Sequence, residues 1–554
     1  MLVVTEKGSV ARAIRLAIRP MSTVLALKGH FLELDFARHY SSWRSVDPAE
    51  LFRAPVEWTI RDKRVYSELS KALKGLDLLV IATDNDSEGE LIGYEVLLTA
   101  EGVLGRRPPF KRMRFNAATP SELRKAWASL EPDLRWSWVW KALFRHRFDL
   151  VAGAAYTRLL TLSRRLNSGG RLVSWGSCQS PTLLFVYRRE MEIRSFKPEK
   201  YWVISATVDA CGVRVKVSTE PIKDGAEAQR LYAQAKAASH ADVRCFQLED
   251  DVVLKPMPTD TDVMLQELAR IYGISGAKAM AVAEQLYAEG YISYPRTETN
   301  MWVGVDHGQT LGMLLKTPLG KLVNMADLSP RGGRWNDGAH PPIHPTAYYG
   351  AGNIKGKVWE YLARRYLANI VGRDAQFKKW ALGVELNGVP MSASNRYFTD
   401  VGFYAIFPYF EPKYTLFIPQ LRVGEKLPAL SVELEDKETK PPPRLTESEL
   451  LRLLKKHNIG TDATRAEYPH IIVNRGYARK RGKAFYLGEV GERLINLLEA
   501  ADSRLVTPET RRYVEELMAK VESGEKWMDE ALGESLSFYA KLYEAVAKSL
   551  AVGP

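Results

Sequence analysis

The chain has 554 residues with 78 Lys+Arg against 66 Asp+Glu, a formal charge of +12 and a pI near 9.3. At 46% hydrophobic and 26% charged residues the composition is globular rather than disordered, and its length allows roughly three to four domains. No apolar run approaches the ~20 residues of a membrane span, and Cys178, Cys211 and Cys245 are too scattered for a zinc ribbon or a disulfide framework, so the chain reads as cytoplasmic and reduced.

The basic excess is local. Residues 101–200 hold 20 basic and 8 acidic residues, and the rest balances at 58 against 58, which predicts one surface facing a polyanion. The N-terminus has a short apolar run followed by charge, with no signal-peptide pattern. Leu2-Val3-Val4 is predicted as a buried strand and Ser9 to Ile18 as the helix after it. Leu78 to Ala82 (LLVIA) is a second continuous apolar strand, followed by helical spacing over Leu91 to Leu98. Strands alternating with helices predict a parallel sheet with its sites at the strand C-termini.

Asp84-Asn85-Asp86-Ser87-Glu88-Gly89-Glu90 therefore falls where the sheet edge opens, with Asp84, Asp86 and Glu88 at alternate positions. Hard carboxylate oxygens there suit Mg²⁺, which binds substrate phosphates while keeping waters. The segment also nearly matches a calcium EF-hand loop, including Gly89 and a final Glu95. However, a calcium loop is entered from a helix, and its fifth position prefers Asp, Asn or Ser to Glu. A purely structural acidic loop is the remaining alternative. Glu6-Lys7 lies just past the first strand. If the two strands are sheet neighbours, this pair joins the carboxylates as acid/base and charge-stabilising groups; otherwise it is an exposed ion pair.

Trp136 to Arg165 is predicted helical, aromatic and basic. From Tyr201 the pattern turns to β: Val203 to Asp209 alternates, turns at Cys211-Gly212 and returns through Val213 to Val217. A second β run covers about 377–435 with the hairpin signal Asn387-Gly388. Between them, Asp262 to Thr299 reads as helix, Gly273 turn, helix, and a strand ending at Tyr294. The flanking β segments predict one domain interrupted by another. Pro441-Pro442-Pro443 marks a boundary, and the capping box Thr446-x-x-Glu449 opens a helical C-terminal segment. Within it, Ala463 to Asn474 and the β-like Gly476 to Leu487 suggest a winged helix-turn-helix.

Gly290-Tyr291-Ile292-Ser293-Tyr294-Pro295-Arg296-Thr297 places an arginine two residues after a tyrosine. A free phenol with a pKa near ~10 is a poor nucleophile. A neighbouring guanidinium would favour the phenolate and orient a phosphate. An isolated Tyr-Pro-Arg is otherwise packing and a turn. His340 and His344, set between prolines in Ala339 to Thr346, fit a rigid loop, a metal pair or a phosphate contact equally well.

Together these segments resemble the type IA DNA topoisomerases, closest to their topoisomerase III or archaeal branch, through nearly the whole chain. EKGSVARAI is similar to the family's Glu-Lys-Pro-Ser opening, with Gly8 in place of proline. DNDSEGE is similar to its toprim Asp-x-Asp-x-Glu-Gly-Glu, LYAEGYISYPRTET to its nucleophile segment and HPPIHPT to its histidine loop. NIGTDATRA and NRGY are similar to its C-terminal DNA-binding motif.

The resemblance implies Tyr294 as the nucleophile of a 5′-phosphotyrosine, with Arg296 on the scissile phosphate. It implies Glu6 handling protons at the leaving 3′-oxygen and approaching the metal, Lys7 stabilising the transition state, and His340 beside the tyrosine. His344 falls at a more variable place. Asp84, Asp86 and Glu88 correspond to the Mg²⁺ carboxylates, and Arg145, Arg158, Ser174, Gln179, Thr464 and Arg465 to DNA contacts. One departure stands out: where the family reads Ser-x-Gly-Arg-Val-Gln, this chain has Ser174-Trp175-Gly176-Ser177-Cys178-Gln179. A phosphate contact is then absent at Ser177 or supplied from elsewhere, with Arg171 a candidate.

The implied fold class is multidomain, α/β plus α+β, closed into a torus. It comprises a toprim domain (1–156), a winged-helix-like (CAP-like) DNA-binding domain (157–205 with 441–554), a β-rich arch (206–254 with 347–440) and a second winged-helix-like domain bearing the tyrosine (255–346). The implied activity relaxes or decatenates DNA without ATP and needs Mg²⁺. Gly352-x3-Gly356-Lys357-Val358, the nearest thing to a phosphate loop, is one residue short and lacks the Ser/Thr. The expected partner is single-stranded DNA of underwound duplex, with bases stacked on aromatics such as Trp136, Trp138 and Trp140. No membrane is expected, a helicase partner is unspecified, and the location is cytoplasmic and nucleoid-associated. With no helicase module before Leu2, positive supercoiling is not expected, and no zinc ribbons follow. Two alternatives differ in chemistry. A toprim nuclease or primase would use the carboxylates but not Tyr294, and a non-enzymatic DNA-binding protein would use neither.

Overall fold

Continuous apolar strands can be satisfied only by cover on both faces, and the first 112 residues are built that way. The computed structural model describes residues 1–18, 23–44, 46–163, 166, 172–324, 327–461 and 464–551. Strand β1 (Leu2–Thr5) leads into helix α1 (Gly8–Ala17) and returns as β2 (Thr23–Ala26). A hairpin, β3 (Leu32–Phe36) with β4 (Val56–Ile60), and helix α2 (Lys63–Leu73) precede β5 (Leu79–Ala82), α3 (Ser87–Leu104) and β6 (Phe110–Arg112). The sheet is parallel in the order β2-β1-β5-β6, with Thr5 opposite Ala82. Leu2, Val4, Leu79 and Ile81 pack on the side of α2 and α3, while Val3, Val80 and Ala82 pack on the side of α1. The predicted strand–helix alternation is present, and the structure supplies the β1–β5 pairing on which the grouping of Glu6 with the carboxylates depended. Glu6 and Asp84 leave the sheet at one edge.

Helix α4 (Pro120–Ala128) and the long α5 (Trp136–Leu162) follow, and α5 lies along α3. Helix α6 (Gln179–Ser195) leads to β7 (Lys200–Ala210) and β8 (Val213–Ser218), then α7 (Gly225–Lys236) and β9 (His240–Val253). Cys211 and Gly212 both take positive φ, 56° and 88°, as a two-residue hairpin turn requires.

Helices α8 (Thr261–Tyr272), α9 (Gly276–Ala288), α10 (His307–Leu315) and α11 (Ile354–Ile370) interrupt the β segments. The strands resume as β10 (Ala375–Leu386), β11 (Val389–Asp400) and β12 (Lys426–Glu438). Strands from both sides of the interruption close one barrel in the order β10-β11-β8-β7-β12-β9. The Asn387-Gly388 turn joins β10 to β11, again with both residues at positive φ.

The predicted strand ending at Tyr294 does not form. Ile292 makes only an isolated bridge to Pro345. The backbone amides of Tyr291, Ser293 and Tyr294 go to three different carbonyls, those of Leu286, His344 and Asn116, so no ladder can propagate.

Beyond the proline run, α12 (Glu447–Lys456) starts on the predicted Thr446/Glu449 capping box. Helix α13 (Tyr468–Asn474) and the hairpin β13 (Ala478–Arg481) with β14 (Ala484–Leu487) follow. Helices α14 (Glu489–Ala501), α15 (Pro508–Glu522) and α16 (Met528–Ala551) end the described chain, and α15 and α16 pack on α5. Among the described residues no helix is long and apolar enough to cross a membrane. The fold class is thus multidomain, an α/β sheet domain with a closed β-barrel and further helical segments.

Candidate active site

The carboxylate loop owes its shape to the turn from β5 into α3. Asp86 caps α3, its Oδ1 accepting from the Gly89 amide at 2.7 Å, and the Thr83 hydroxyl donates to the Gly89 carbonyl at 2.7 Å. Gly89 is required by contact: a Cβ there would lie 2.1 Å from the Asp84 carbonyl oxygen. Arg112, fully buried on β6, clasps the turn from beneath. It donates to the Thr83 and Asp84 carbonyls at 3.0 and 2.8 Å and pairs with Glu90 at 2.9 Å.

Lys7 crosses from the end of β1 to donate to Asp84 Oδ2 at 2.6 Å, with Glu6 3.9 Å from its ammonium. Burial, and then the Asp84 charge, push the Glu6 carboxyl up to about 8. Burial also raises Asp84, against the opposing pull of Lys7. Burial disfavours the Lys7 charge, but Asp84 and Glu6 outweigh it and hold the ammonium firmly protonated.

Tyr294 meets this loop from the other segment. It is 2% exposed, and its hydroxyl donates to Asp86 Oδ2 in a short hydrogen bond. Its ring stands edge-on to Tyr287 at 4.9 Å and 4.5 Å from the His340 ring, and its amide donates to the Asn116 carbonyl at 2.9 Å. Burial, then Asp86 and Asp84, raise the phenol well above its ordinary range, and Arg296 lowers it by less. The predicted guanidinium effect is present but is outweighed. The Arg296 Nε donates to Glu284 on α9 at 2.8 Å. His340 is held neutral mainly by burial. His344 is lowered to about 4 by burial and bonds through Nδ1 with the Pro342 carbonyl at 2.8 Å. The two histidines face different partners, His340 the ring of Tyr294 and His344 the Pro342 carbonyl.

Glu88 turns away from Asp84 and Asp86. Its Oε1 lies 2.8 Å from Arg145, and its Oε2 lies 2.8 Å from His146 Nε2 and 3.1 Å from His30 Nε2. Despite burial, Arg145 and the two histidines hold it well below the carboxylate range. His30 and His146 were not singled out in the sequence. Their signal, a histidine after β2 and one midway along α5, has no local pattern. Glu95, the near-match to a calcium ligand, instead accepts from the Phe31 and Leu32 amides at 3.1 and 3.0 Å and contacts His30 Nδ1 at 2.5 Å. Burial disfavours the His30 cation, but hydrogen bonds to Glu88 and Glu95 push its pKa up to about 10.

Of the expected DNA contacts, several lie inside the protein rather than on an open basic wall. Arg158 is 5% exposed and donates to the Tyr40 and Ser42 carbonyls at 2.8 and 3.3 Å. Buried Ser174 and Gln179 bond to each other, and Tyr477 donates to the Ser174 carbonyl at 2.8 Å. Arg465 is buried and bonded to Asp262 at 2.6 and 2.7 Å, while Thr464 Oγ1 accepts from the Thr461 amide at 3.2 Å. A buried guanidinium needs internal acceptors, and these positions supply them. Arg171 lies outside the described residues. At Ser177 the hydroxyl accepts from Arg511 Nη1 at 2.8 Å, a buried guanidinium from α15 that no sequence motif indicated.

A cleft of about 990 Å³ opens beside Tyr294, bordered by Asn116, Lys125, Ser293, Asp306 and His340. The donor set at the sheet edge suits Mg²⁺: Asp84, Asp86 and Glu6 offer hard carboxylate oxygens grouped around the Lys7 ammonium.

The sequence matches the toprim domain model over residues 1–118 and a DNA topoisomerase model over residues 133–532. It is 32% identical to DNA topoisomerase 1 of Thermoplasma acidophilum, over 92% of this chain and 66% of that one. It is 31% identical to DNA topoisomerase 1 of Archaeoglobus fulgidus, over 98% and 84%. With human DNA topoisomerase 3-beta-1 it shares 30% identity, over 94% of this chain and 63% of that protein. The fold is similar to that of full-length topoisomerase I from Thermotoga maritima, with a TM-score of 0.80 at 23% identity, covering 98% and 90% of the two chains.

Proposed function

The chain belongs to the type IA DNA topoisomerases, and on that premise we propose that it breaks and rejoins one DNA strand through Tyr294, relaxing or decatenating DNA without ATP. The observation that carries this reading is the Tyr294 hydroxyl on Asp86, at the sheet edge where Glu6, Lys7 and Asp84 converge. The phenol oxygen attacks a backbone phosphorus and the bond to the 3′-oxygen breaks. Asp86 is placed to receive the phenol proton. Glu6, carrying a proton at neutral pH, gives it to the leaving oxygen. Lys7 offsets charge on the phosphoryl oxygens. In the reverse step Glu6 takes the proton back from the 3′-hydroxyl, and the tyrosine oxygen leaves. Phosphoester energy is kept in the protein–DNA bond, so no nucleotide is consumed.

Asp84 and Asp86 would hold Mg²⁺, with the Glu6 carboxyl approaching it, and the ion when bound would supply positive charge to the phosphate. Arg296 is the proposed phosphate contact, and His340 keeps the ring of Tyr294 in place. The four segments expected from the sequence (1–156; 157–205 with 441–554; 206–254 with 347–440; 255–346), their winged-helix character and a toroidal closure belong to this proposal. So do a single-stranded substrate and a cytoplasmic, nucleoid-associated location.

The test is a covalent adduct trapped by denaturation with single-stranded DNA, Mg²⁺ and no ATP. Wild type gives the adduct, and Tyr294→Phe gives none while still binding DNA. Strand cleavage by the phenylalanine variant would sink the assignment and favour a toprim nuclease. Asp84→Asn with Asp86→Asn is expected to lose relaxation, as is wild type in EDTA.

A further inference from the structure

We propose that His30, Glu88 and His146 form a second metal site that takes a Zn²⁺-class ion, distinct from the oxygen site at Glu6, Asp84 and Asp86. Among the described residues these three side chains are the set of histidine, cysteine and carboxylate ligand atoms that converge within 4.8 Å of one another. Both imidazole Nε2 atoms point at the same carboxylate oxygen, from 3.1 and 2.8 Å, and the rings lie 5.1 Å apart. Nitrogen and oxygen ligands about 2.0–2.2 Å from a shared tetrahedral ion stand little more than 3 Å apart, so the trio needs small adjustments to close on one.

The groups behind the ligands are arranged as in a built site. Glu95 contacts His30 Nδ1 and is itself fixed by two backbone amides. Zn²⁺ displaces the Nε2 proton that His30 carries towards Glu88, and the Glu95 contact at Nδ1 then keeps Nε2 facing the ion. Arg145 occupies the other oxygen of Glu88 and orients its carboxylate. The ligands come from three separate elements, the loop after β2, the first turn of α3 and the middle of α5, so the geometry does not depend on one mobile segment. Their side chains are 19%, 20% and 32% exposed, which leaves an entry path and room for water as a fourth ligand. Imidazole nitrogen favours zinc, cobalt or nickel over Mg²⁺, which prefers oxygen.

Zn²⁺ bound here leaves Asp84 and Asp86 to the oxygen site, so the binding stands independently of the catalytic reading above.

The test titrates the EDTA-stripped full chain with Zn²⁺ by calorimetry and with Co²⁺ by its visible absorption. Wild type should bind one more equivalent than His30→Asn/His146→Asn, and each single variant should bind at least tenfold more weakly. Glu95→Gln should weaken binding by about tenfold. Thermal melts in EDTA confirm that the variants are folded. Equal Zn²⁺ stoichiometry in wild type and the double variant would overturn the site, as would loss of the Co²⁺ spectrum to millimolar Mg²⁺. If Tyr294→Phe still cleaved DNA while zinc binding stood, the catalytic reading alone would fall.

Discussion

Glu6 sits where burial and a neighbouring charge act in the same direction, and this has a measurable consequence. Its carboxyl is raised to about 8 in the folded protein against an ordinary value of 4.5. A raised carboxyl contributes stability that is fully present below the unfolded value and is lost as pH rises through the folded one. In EDTA, Glu6→Gln should therefore melt higher than wild type at pH 8.5, with the difference shrinking towards pH 5. An equal difference at both pH values would contradict the assignment. The same variant should slow strand cleavage, because glutamine has no proton to give the leaving oxygen. At Ser177 the hydroxyl is bonded to the buried guanidinium of Arg511, donated across the fold by α15. A guanidinium 334 positions along the chain leaves no trace in the local motif.

At the scale of elements, the turn from β5 into α3 depends on two residues with no direct part in the chemistry. Gly89→Ala would press a methyl group into the Asp84 carbonyl, and overpacking of this kind costs about 1–3 kcal/mol. The variant should stay folded but lose cleavage, since Asp84 and Asp86 would shift with the turn; unchanged cleavage would show the contact to be soft. Arg112→Met removes one partner of a buried ion pair, a change that costs about 3–5 kcal/mol when the other charge stays behind. A chemical denaturation midpoint close to wild type would show that Glu90 is satisfied by Arg114 alone. The missing strand at Tyr294 belongs here too. Apolar periodicity marks which residues are buried, but pairing needs a partner strand, and residues 291–294 are shared among three segments.

For the whole molecule, the charge excess of residues 101–200 divides into two uses. Arg112, Arg145 and Arg158 are bound to internal carboxylates and carbonyls, whereas Arg106, Arg124 and Lys125 are exposed, and Lys125 borders the cleft beside Tyr294. Arg158→Ala should thus lower thermal stability and leave the salt dependence of DNA affinity unchanged. Arg124→Ala with Lys125→Ala should flatten that dependence, by ~0.7 in log–log slope for each single-strand phosphate that is no longer neutralised. The reverse pattern would place the groove elsewhere. Tyr294 is nearly inaccessible, and the Asn116–Tyr294 and Asn85–Ala339 hydrogen bonds tie its segment to the carboxylate loop. On the proposed reading, the seam between these segments opens for a DNA strand to reach the phenol.

The sequence by itself determined the parallel sheet, the carboxylate loop at its edge and the split β segments, because each is written in local periodicity or in a short motif. Glu6 could be grouped with Asp84 from sequence only on the condition that their strands are sheet neighbours, which the β1–β5 pairing meets. Only the tertiary structure decided which carboxylate faces which partner. Glu88 belongs to the same motif as Asp84 and Asp86, yet it turns to His30 and His146, which lie 58 positions away on either side. It also decided how the arginines are used, since burial and internal acceptors, not residue type, determine whether a guanidinium meets solvent or the protein's own backbone. Those choices depend on long-range packing, where desolvation outweighs the local preferences that a sequence displays.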